Sequence, residues 1–218
     1  MLKRFARLRL LALLGGLLLT SACGAQSSST APAPYTEGSE YVTLPVPNQR
    51  YSAEGKVEVV EVFSYGCIHC AQFAPIAEKL RKELPPGVVF KLMPAPFSDE
   101  WLPFARAYYA AKQLGMVERT HLELFKRKFA ENYPINSMGE LADFYASQGA
   151  NRTEFLRIAN SAEVSSKMNH DLALIKTWQV DGTPTLVIDG KYRVTNVKDQ
   201  DELAAVALWL AKRELASK

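Results

Sequence analysis

A pair of cysteines directly after a run of strand-forming residues constrains the fold of this chain more than any other feature. Residues 57–63 have the sequence Val-Glu-Val-Val-Glu-Val-Phe, which is β-branched and mostly apolar and typical of a strand buried on both faces. A short turn leads to Cys67, where apolar residues at helical spacing begin, and residues 88–93 form a second apolar run. The sequence therefore predicts a strand, a helix and a strand, with Cys67 at the N-terminus of the helix.

The number of cysteines restricts what this pair can do. The 218 residues contain three cysteines: Cys23, Cys67 and Cys70. A scaffold of structural disulfides would need more of them. A structural zinc site needs four ligands, and the histidines have no ligand-like spacing. Haem attachment of the c type needs a histidine after the second cysteine, where Ala71 stands. We therefore predict a redox-active dithiol with no metal and no cofactor.

The position of the pair predicts different roles for its two sulfurs. Unpaired N–H groups and the positive end of the helix dipole stabilise an anion at a helix N-terminus. Cys67 should therefore have a lowered pKa and be the attacking sulfur, and Cys70, one turn further in, should be the less exposed, resolving sulfur. Between them, Ile68 offers no polar group. His69 can donate a hydrogen bond to the thiolate or carry charge near it, although it can also be a solvated turn residue.

The first residues are arranged as a secretory signal peptide. Residues 1–22 combine four basic residues, an apolar run over residues 10–19 and small residues at the end, the usual signal layout. The run is short for a membrane span, but an uncleaved anchor is an alternative. Residues 23–40, rich at first in Ser, Ala and Pro, are predicted to be a flexible tether. We therefore expect the mature domain to be exported.

Composition and charge exclude several classes of protein. Hydrophobic residues make up 48% of the chain and charged residues 22%, which excludes a wholly disordered chain, a collagen, a coiled coil and a multi-span membrane protein. Without the four basic residues of the signal, 22 basic and 23 acidic residues remain, so the net charge falls from +3 to −1. Because nucleic-acid binders usually carry a basic excess, we predict no nucleic-acid partner.

Cys23 has a possible role of its own. Residues 19–23, Leu-Thr-Ser-Ala-Cys, resemble a bacterial lipobox, in which the cysteine becomes the acylated first residue. The lipobox prefers Leu three positions before the cysteine, where this chain has Thr20. Cleavage after Ala22 or Ala25 by ordinary signal peptidase is the alternative. Acylation of Cys23 would tether the domain to a membrane without a spanning helix.

The rest of the chain is predicted to be a helical stretch followed by a hairpin and a last helix. Residues 98–179 carry five apolar stripes at helical spacing, with a capping box that begins at Ser137. Strands are predicted over residues 184–188 and 192–195, joined by Asp189-Gly190, which is typical of a type I′ turn. Asp199 and Glu202 cap the last helix.

Residues 63–70, Phe-Ser-Tyr-Gly-Cys-Ile-His-Cys, resemble the active site of the DsbA family of bacterial exported thiol–disulfide oxidoreductases. The resemblance extends over residues 40–218. Glu61 matches the acidic residue that the family has six positions before its first cysteine, and Thr183-Pro184 matches the family's cis-proline loop. Ile68 departs from the family's commonest dipeptide, Pro-His. Thr183 stands where DsbA oxidases often have Val and related isomerases often have Thr.

The resemblance implies an α/β fold, namely a thioredoxin fold with an inserted all-α subdomain. Residues 41–97 and 180–218 would form the two thioredoxin-like parts, and residues 98–179 the helical insertion. Pro184 is then expected to be cis and beside the dithiol, with Thr183 offering its backbone to a substrate chain.

Glu61 has two interpretations. It can be a partly buried carboxyl with a raised pKa that handles protons for Cys70, or it can simply reach a sheet edge. Burial would require a basic partner, and Lys91 on the next strand is the candidate.

The predicted function is that of a periplasmic dithiol oxidase, which acylation of Cys23 would tether to a membrane. Reduced, unfolded exported proteins would be its substrates, and the resemblance implies a DsbB-like membrane quinone reductase as its reoxidant. The chain is expected to be a monomer. A disulfide isomerase or reductase, to which Thr183 points, is an alternative, but residues 35–56 are too few for the dimerisation domain that such isomerases usually carry. A redox-inert, chaperone-like binding module is the alternative from another class.

Overall fold

A five-stranded mixed sheet is the centre of the fold in the computed structural model, which describes residues 33–218. The strands are β1 (Tyr41–Thr43), β2 (Val57–Phe63), β3 (Val88–Pro94), β4 (Thr185–Ile188) and β5 (Tyr192–Val194). Their order is β1-β5-β4-β2-β3, and β2 pairs in parallel with β3 while the other pairs are antiparallel. All seven residues of β2 are buried, as its continuous apolar pattern predicts.

Helix α1 (Ile68–Glu83) connects the two parallel strands. It begins directly after Cys67, continues through Pro75 and ends before Pro85, which cannot continue a helix. Its buried side includes Phe73 and Leu80, which pack against the sheet. The predicted strand–helix–strand order around the two cysteines is therefore confirmed.

Five α-helices lie between β3 and β4. They are α2 (Leu102–Gln113), α3 (Val117–Phe125), α4 (Met138–Ser147), α5 (Arg152–Ala159) and α6 (Ala162–Thr177). Ser137 forms the predicted capping box with Glu140 at the start of α4, and Asn151 caps α5 by accepting a hydrogen bond from Glu154 N. A π-helical turn, Lys126–Ala130, extends α3. The thioredoxin fold with a helical insertion is thus confirmed.

The hairpin of β4 and β5 depends on its turn residues. Asp189 and Gly190 have φ of +52° and +59°, the left-handed conformation that a type I′ turn needs at both central positions. A Cβ atom at position 190 would clash with the carbonyl oxygen of Gln49, so glycine is required there for space as well. Helix α7 (Gln200–Ala216) follows, with Asp199 as its N-cap.

Strand β1 was not predicted, because three residues are too few to show a pattern. It pairs with β5 and brings Tyr41 against Tyr192, with a distance of 5.7 Å between their ring centroids. Just before it, the ring of Tyr35 lies 5.7 Å from that of Trp209 on α7. The predicted signal peptide (residues 1–22) and Cys23 lie outside the described residues, and the boundaries of the predicted segments stay predictions.

The buried side chains form three apolar clusters. One lies between α1, α7 and the face of β2 that carries Val57 and Val59, and the second covers the opposite face with Trp178. The third joins the N-terminal turn of α1 to the helices of the insertion, and it contains both Cys67 and Cys70. The dithiol therefore lies where the sheet meets the helical region. Within residues 33–218, no helix is long and apolar enough to cross a membrane.

Candidate active site

Cys67 is the N-cap residue of α1. Its backbone is extended, with φ −98° and ψ 117°, and its sulfur accepts a hydrogen bond from the backbone N–H of Cys70 at 3.4 Å. The two cysteines are present as free thiols, and the Cys67 thiol donates to the carbonyl oxygen of Thr183, also at 3.4 Å. Cys67 is 7% exposed and Cys70 is fully buried. A substrate can therefore approach Cys67 only from one side and Cys70 not at all without movement.

The surroundings separate the acidities of the two thiols. Hydrogen bonding lowers the pKa of Cys67 to about 5: the Cys70 thiol contributes most, followed by the Thr183 side chain and the backbone N–H groups of Cys70 and His69, while burial opposes them. Burial raises the pKa of Cys70 far above the usual range of a thiol, and its bond to Cys67 adds to this. At neutral pH, Cys67 is thus the thiolate and Cys70 the thiol.

His69 lies on the surface between the two cysteines. Its Nδ1 is 3.2 Å from the side-chain oxygen of Gln72, and its carbonyl oxygen accepts a hydrogen bond from Gln200 Nε2 at 2.9 Å. Within the described residues, no hydrogen bond joins the imidazole to Cys67. His69 stabilises the Cys67 thiolate through its backbone N–H instead. The predicted role of the imidazole stays a prediction.

The loop before β4 lies against Cys67. The Thr183–Pro184 peptide bond is cis, as the resemblance implies. The Thr183 hydroxyl oxygen is buried and has no hydrogen-bond partner among the described residues. This hydroxyl is therefore available to donate to Cys67 when Cys67 is a thiolate, which is how the Thr183 side chain lowers the Cys67 pKa. The Thr183 carbonyl accepts from Cys67 while Cys67 is a thiol.

Glu61 is buried on the α1 side of β2. It is 1% exposed, and neither carboxyl oxygen has a hydrogen-bond partner within residues 33–218. Burial raises its pKa to about 8, with smaller contributions from the charges of Cys67 and Glu78. A cavity of about 310 Å³, which Tyr108 and His121 also line, extends from Glu61.

The expected pairing of Glu61 with Lys91 is wrong. In the β2–β3 register, Leu92 lies opposite Glu61 and Lys91 lies opposite Val60. Because side chains alternate between the faces of a strand, Lys91 belongs to the other face of the sheet. There its ammonium group pairs with Glu54. A shift of one residue thus leaves the buried carboxyl without a basic partner among residues 33–218.

Two contacts around the dithiol were not predicted. A Cβ atom on Gly66 would lie 2.7 Å from the indole ring of Trp101, so the ring covers the turn before Cys67. The Tyr65 hydroxyl lies 3.0 Å from Nδ1 of His121. Each pair is far apart in sequence, and no local pattern could have shown it.

An apolar groove begins beside Cys67. Its volume is about 480 Å³, and it runs between the exposed side of α1 and the end of α3. Ile68, 44% exposed, and Leu122, 45% exposed, lie on its two walls, and Phe129 lies further along it. Large apolar side chains are therefore accessible next to the reactive sulfur.

Comparison with known proteins agrees with this geometry. Residues 58–207 match the family model described as a DSBA-like thioredoxin domain. The thiol:disulfide interchange protein DsbA of Burkholderia cepacia is 34% identical over 182 residues, which are 83% of this chain and 85% of that protein. The protein of the same name from Pseudomonas aeruginosa is 34% identical over 187 residues, 84% of this chain and 87% of its own.

Solved structures of this kind are similar over the same length. The crystal structure of Pseudomonas aeruginosa DsbA superposes with a TM-score of 0.77 at 34% identity and covers 84% of this chain and 96% of its own. The oxidoreductase DsbA from Xylella fastidiosa gives a TM-score of 0.78 at 34% identity, with 84% and 98% covered. The likeness thus includes both the sheet and the helical insertion.

Proposed function

Because this chain belongs to the DsbA family of thiol–disulfide oxidoreductases, we propose that it oxidises the cysteines of exported proteins by exchange at Cys67 and Cys70. The observation that carries the proposal is the opposite shift of the two thiol pKa values, down to about 5 for Cys67 and upward for Cys70. A stabilised thiolate at Cys67 favours the reduced protein, so the oxidised protein tends to give its disulfide away.

The exchange has two steps. A substrate thiolate attacks Cys67 Sγ; a mixed disulfide forms, the Cys67–Cys70 bond breaks, and Cys70 takes the electron pair and then a proton. A second substrate thiolate then attacks the substrate sulfur of the mixed disulfide, and Cys67 leaves as a thiolate. The substrate has lost two electrons and two protons, and this protein has become the dithiol. The low pKa of Cys67 makes it the better leaving group in the second step.

The magnitude of this driving force follows from the Cys67 pKa. Relative to a thiol with an ordinary pKa of about 8.5–9, a value of about 5 stabilises the reduced form at pH 7 by up to about 2.5 kcal/mol before solvent screening reduces it. For a two-electron couple this corresponds to roughly 50 mV. The stabilisation is complete above the ordinary thiol pKa and is lost as the pH falls through about 5, because Cys67 is then protonated.

Glu61 is proposed to handle the proton of Cys70. Its carboxyl lies under the dithiol with a pKa of about 8, so it can hold a proton at neutral pH and pass it on. Thr183 and Pro184 are proposed to hold the substrate chain beside Cys67, with the backbone of Thr183 paired to an extended substrate as at a sheet edge. The contact of 3.4 Å between the Cys67 sulfur and the Thr183 carbonyl supports this.

Reduced, unfolded exported proteins are the proposed substrates. The apolar groove that begins at Ile68 supports this, because an unfolded chain exposes apolar side chains that a folded protein buries. We place the protein in the periplasm and expect a DsbB-like membrane quinone reductase to reoxidise it, since the exchange leaves a dithiol. A lipid at Cys23 would keep it at a membrane surface.

Reduction potential and trapping together test the function. The Cys67–Cys70 couple, equilibrated with glutathione, should be more oxidising than about −180 mV; the DsbA oxidase used as a reference lies near −120 mV and thioredoxin near −270 mV. The Cys70→Ser variant should accumulate mixed disulfides with a reduced, unfolded substrate on Cys67, and Cys67→Ser should not. A potential near that of thioredoxin, or trapping only in Cys67→Ser, would contradict the proposal. Isomerase activity on a scrambled substrate that exceeds oxidase activity would favour the alternative to which Thr183 points.

A further inference from the structure

A histidine of the helical insertion reaches the turn that carries the dithiol. Tyr65 lies in the turn between β2 and α1, two residues before Cys67, and is 1% exposed. Its hydroxyl lies 3.0 Å from Nδ1 of His121, which belongs to α3 and is 6% exposed. The two residues are 56 positions apart, so this hydrogen bond joins two separate parts of the fold.

The hydrogen bond lies inside a cluster of four rings. The centroids of Phe63, Tyr65, His121 and Phe125 are all 5.0–6.3 Å from one another. Burial among these rings lowers the pKa of His121 to about 4, against the attraction of Glu118. Burial also raises the pKa of Tyr65 well above its usual range. At neutral pH, the pair is therefore a phenol that donates to the Nδ1 lone pair of a neutral imidazole.

Hydrogen bonds within the turn connect the backbone around Tyr65 to Cys67. The Ser64 hydroxyl accepts from the N–H of Gly66 at 3.0 Å, and the Ser64 carbonyl accepts from the N–H of Cys67 at 3.1 Å. Residues 64–67 thus form one closed turn with the Tyr65 side chain as its buried anchor. The Cys67 sulfur accepts from the Cys70 N–H at 3.4 Å and, as a thiol, donates to the Thr183 carbonyl at 3.4 Å. Hydrogen bonds of this length weaken steeply when the geometry changes.

We propose that His121 is a positioning residue of the dithiol site: by accepting the hydrogen bond of Tyr65, it holds the turn at residues 64–67 so that the Cys67 sulfur keeps the hydrogen bond from the Cys70 N–H, which stabilises its thiolate. The proposal rests on Cys67 being the reactive sulfur of the proposed function. His121 does not touch the reacting atoms. Its effect passes through Tyr65 and the backbone of the turn.

Four variants of the full-length protein test this. His121→Leu and Tyr65→Phe each remove the hydrogen bond, and each should raise the Cys67 pKa by about 0.3–0.7 units, which is an increase of about two- to fivefold in the proton affinity of the thiolate. His121→Asn, whose amide oxygen can lie near the position of Nδ1, should restore most of the wild-type value. The double variant Tyr65→Phe/His121→Leu should raise the Cys67 pKa no more than the single variant with the larger effect, because both changes remove the same hydrogen bond.

Thiolate absorbance against pH and the glutathione redox equilibrium are the readouts, and thermal unfolding is recorded separately. His170→Leu is the matched control, since His170 lies on α6 beside Asp171 and should leave the Cys67 pKa unchanged. A lowered melting temperature with an unchanged Cys67 pKa in both His121→Leu and Tyr65→Phe would overturn the proposal, and so would additive effects in the double variant. If His121→Leu does not fold, Tyr65→Phe gives the same test.

The two proposals fail in different ways. Failure of the proposed function would appear in the wild-type protein, as a thioredoxin-like potential or an unreactive Cys67. The role of His121 is measured as a difference between variants and wild type at Cys67, and it needs no substrate protein.

Discussion

Replacing Glu61 with Gln should stabilise the protein, and the gain should grow with pH. The carboxyl is buried beneath the dithiol without a hydrogen-bond partner among the described residues, and its pKa is about 8. In the unfolded chain the same group titrates near about 4.3. Between these two values the folded protein binds the proton and the unfolded chain does not. The free energy of unfolding therefore falls as the pH rises through this window.

The magnitude follows from the difference between the two pKa values. Above pH 8 the full shift from about 4.3 to about 8 costs about 5 kcal/mol, at pH 7 it costs about 3.5 kcal/mol, and at pH 5 about 1 kcal/mol. Glutamine has the same shape and does not ionise. Glu61→Gln should therefore have nearly the wild-type stability at pH 4, where Glu61 is protonated in both states, and should be about 3 kcal/mol more stable at pH 7.

Urea unfolding at pH 4 to 8.5 measures this difference. The oxidised protein is used first, so that thiol titration does not contribute. Glu58→Gln is the matched control on the same strand. Glu58 is fully buried, but it accepts hydrogen bonds from Tyr51 N and Ser52 Oγ, so its replacement should lower stability near neutral pH. A Glu61→Gln stabilisation that is absent, or that is the same at pH 4 and pH 8, would refute the reasoning.

Two further pairs of variants test other contacts of the site. The role predicted for His69 from the sequence requires that its imidazole, which contacts Gln72 while Cys67 is a thiol, reaches the Cys67 thiolate. His69→Ala should then raise the Cys67 pKa by about one unit or less, the value of one charge-assisted hydrogen bond, whereas Gln72→Ala, which frees Nδ1 of His69, should not raise it. An unchanged thiolate absorbance midpoint in His69→Ala would exclude a role for the imidazole. Gly66→Ala should cost about 1–3 kcal/mol of stability through overpacking, because its Cβ would lie 2.7 Å from the indole ring of Trp101. Gly182→Ala should cost less, because a Cβ atom there would meet nothing within 4 Å. Equal melting temperatures for these two glycine variants would contradict the packing argument.

Local patterns in the sequence predicted the elements that are set by local physics. The apolar run of β2, the helix that begins after Cys67 and the Asp189-Gly190 turn are each specified within a few residues. Strand β1 could not be found this way, since Tyr41–Thr43 gains its conformation only by pairing with β5. The fold class was predicted from the resemblance to the DsbA family. Its agreement with the structure therefore supports that resemblance and does not test the reasoning from local patterns.

Register is the point at which local reasoning about the site failed. Lys91 and Leu92 differ by one position, yet they belong to opposite faces of the sheet, and only one of them lies across from Glu61. The sequence contains no local indication of which one does, because β3 shows no regular alternation of polar and apolar residues, and Lys91 and Leu92 are both partly buried. The result matters chemically: with Leu92 opposite it, the carboxyl has no cationic partner in the described part of the chain, and burial raises its pKa.

The oxidising strength of the dithiol depends on the C-x-x-C segment and also on residues outside it. The segment supplies the N-cap position, the Cys70 thiol, which lowers the Cys67 pKa most, and the backbone N–H groups of Cys70 and His69. Outside the segment, Thr183 comes from the loop before β4, 116 residues away, and Glu61 lies on β2, six residues before Cys67. The Thr183 hydroxyl stabilises the Cys67 thiolate as a hydrogen-bond donor, whereas Glu61 destabilises that thiolate only when it is ionised, above its pKa of about 8. Two chains with the same four residues at this position can therefore differ in reduction potential. Variants outside the segment will measure the size of that difference.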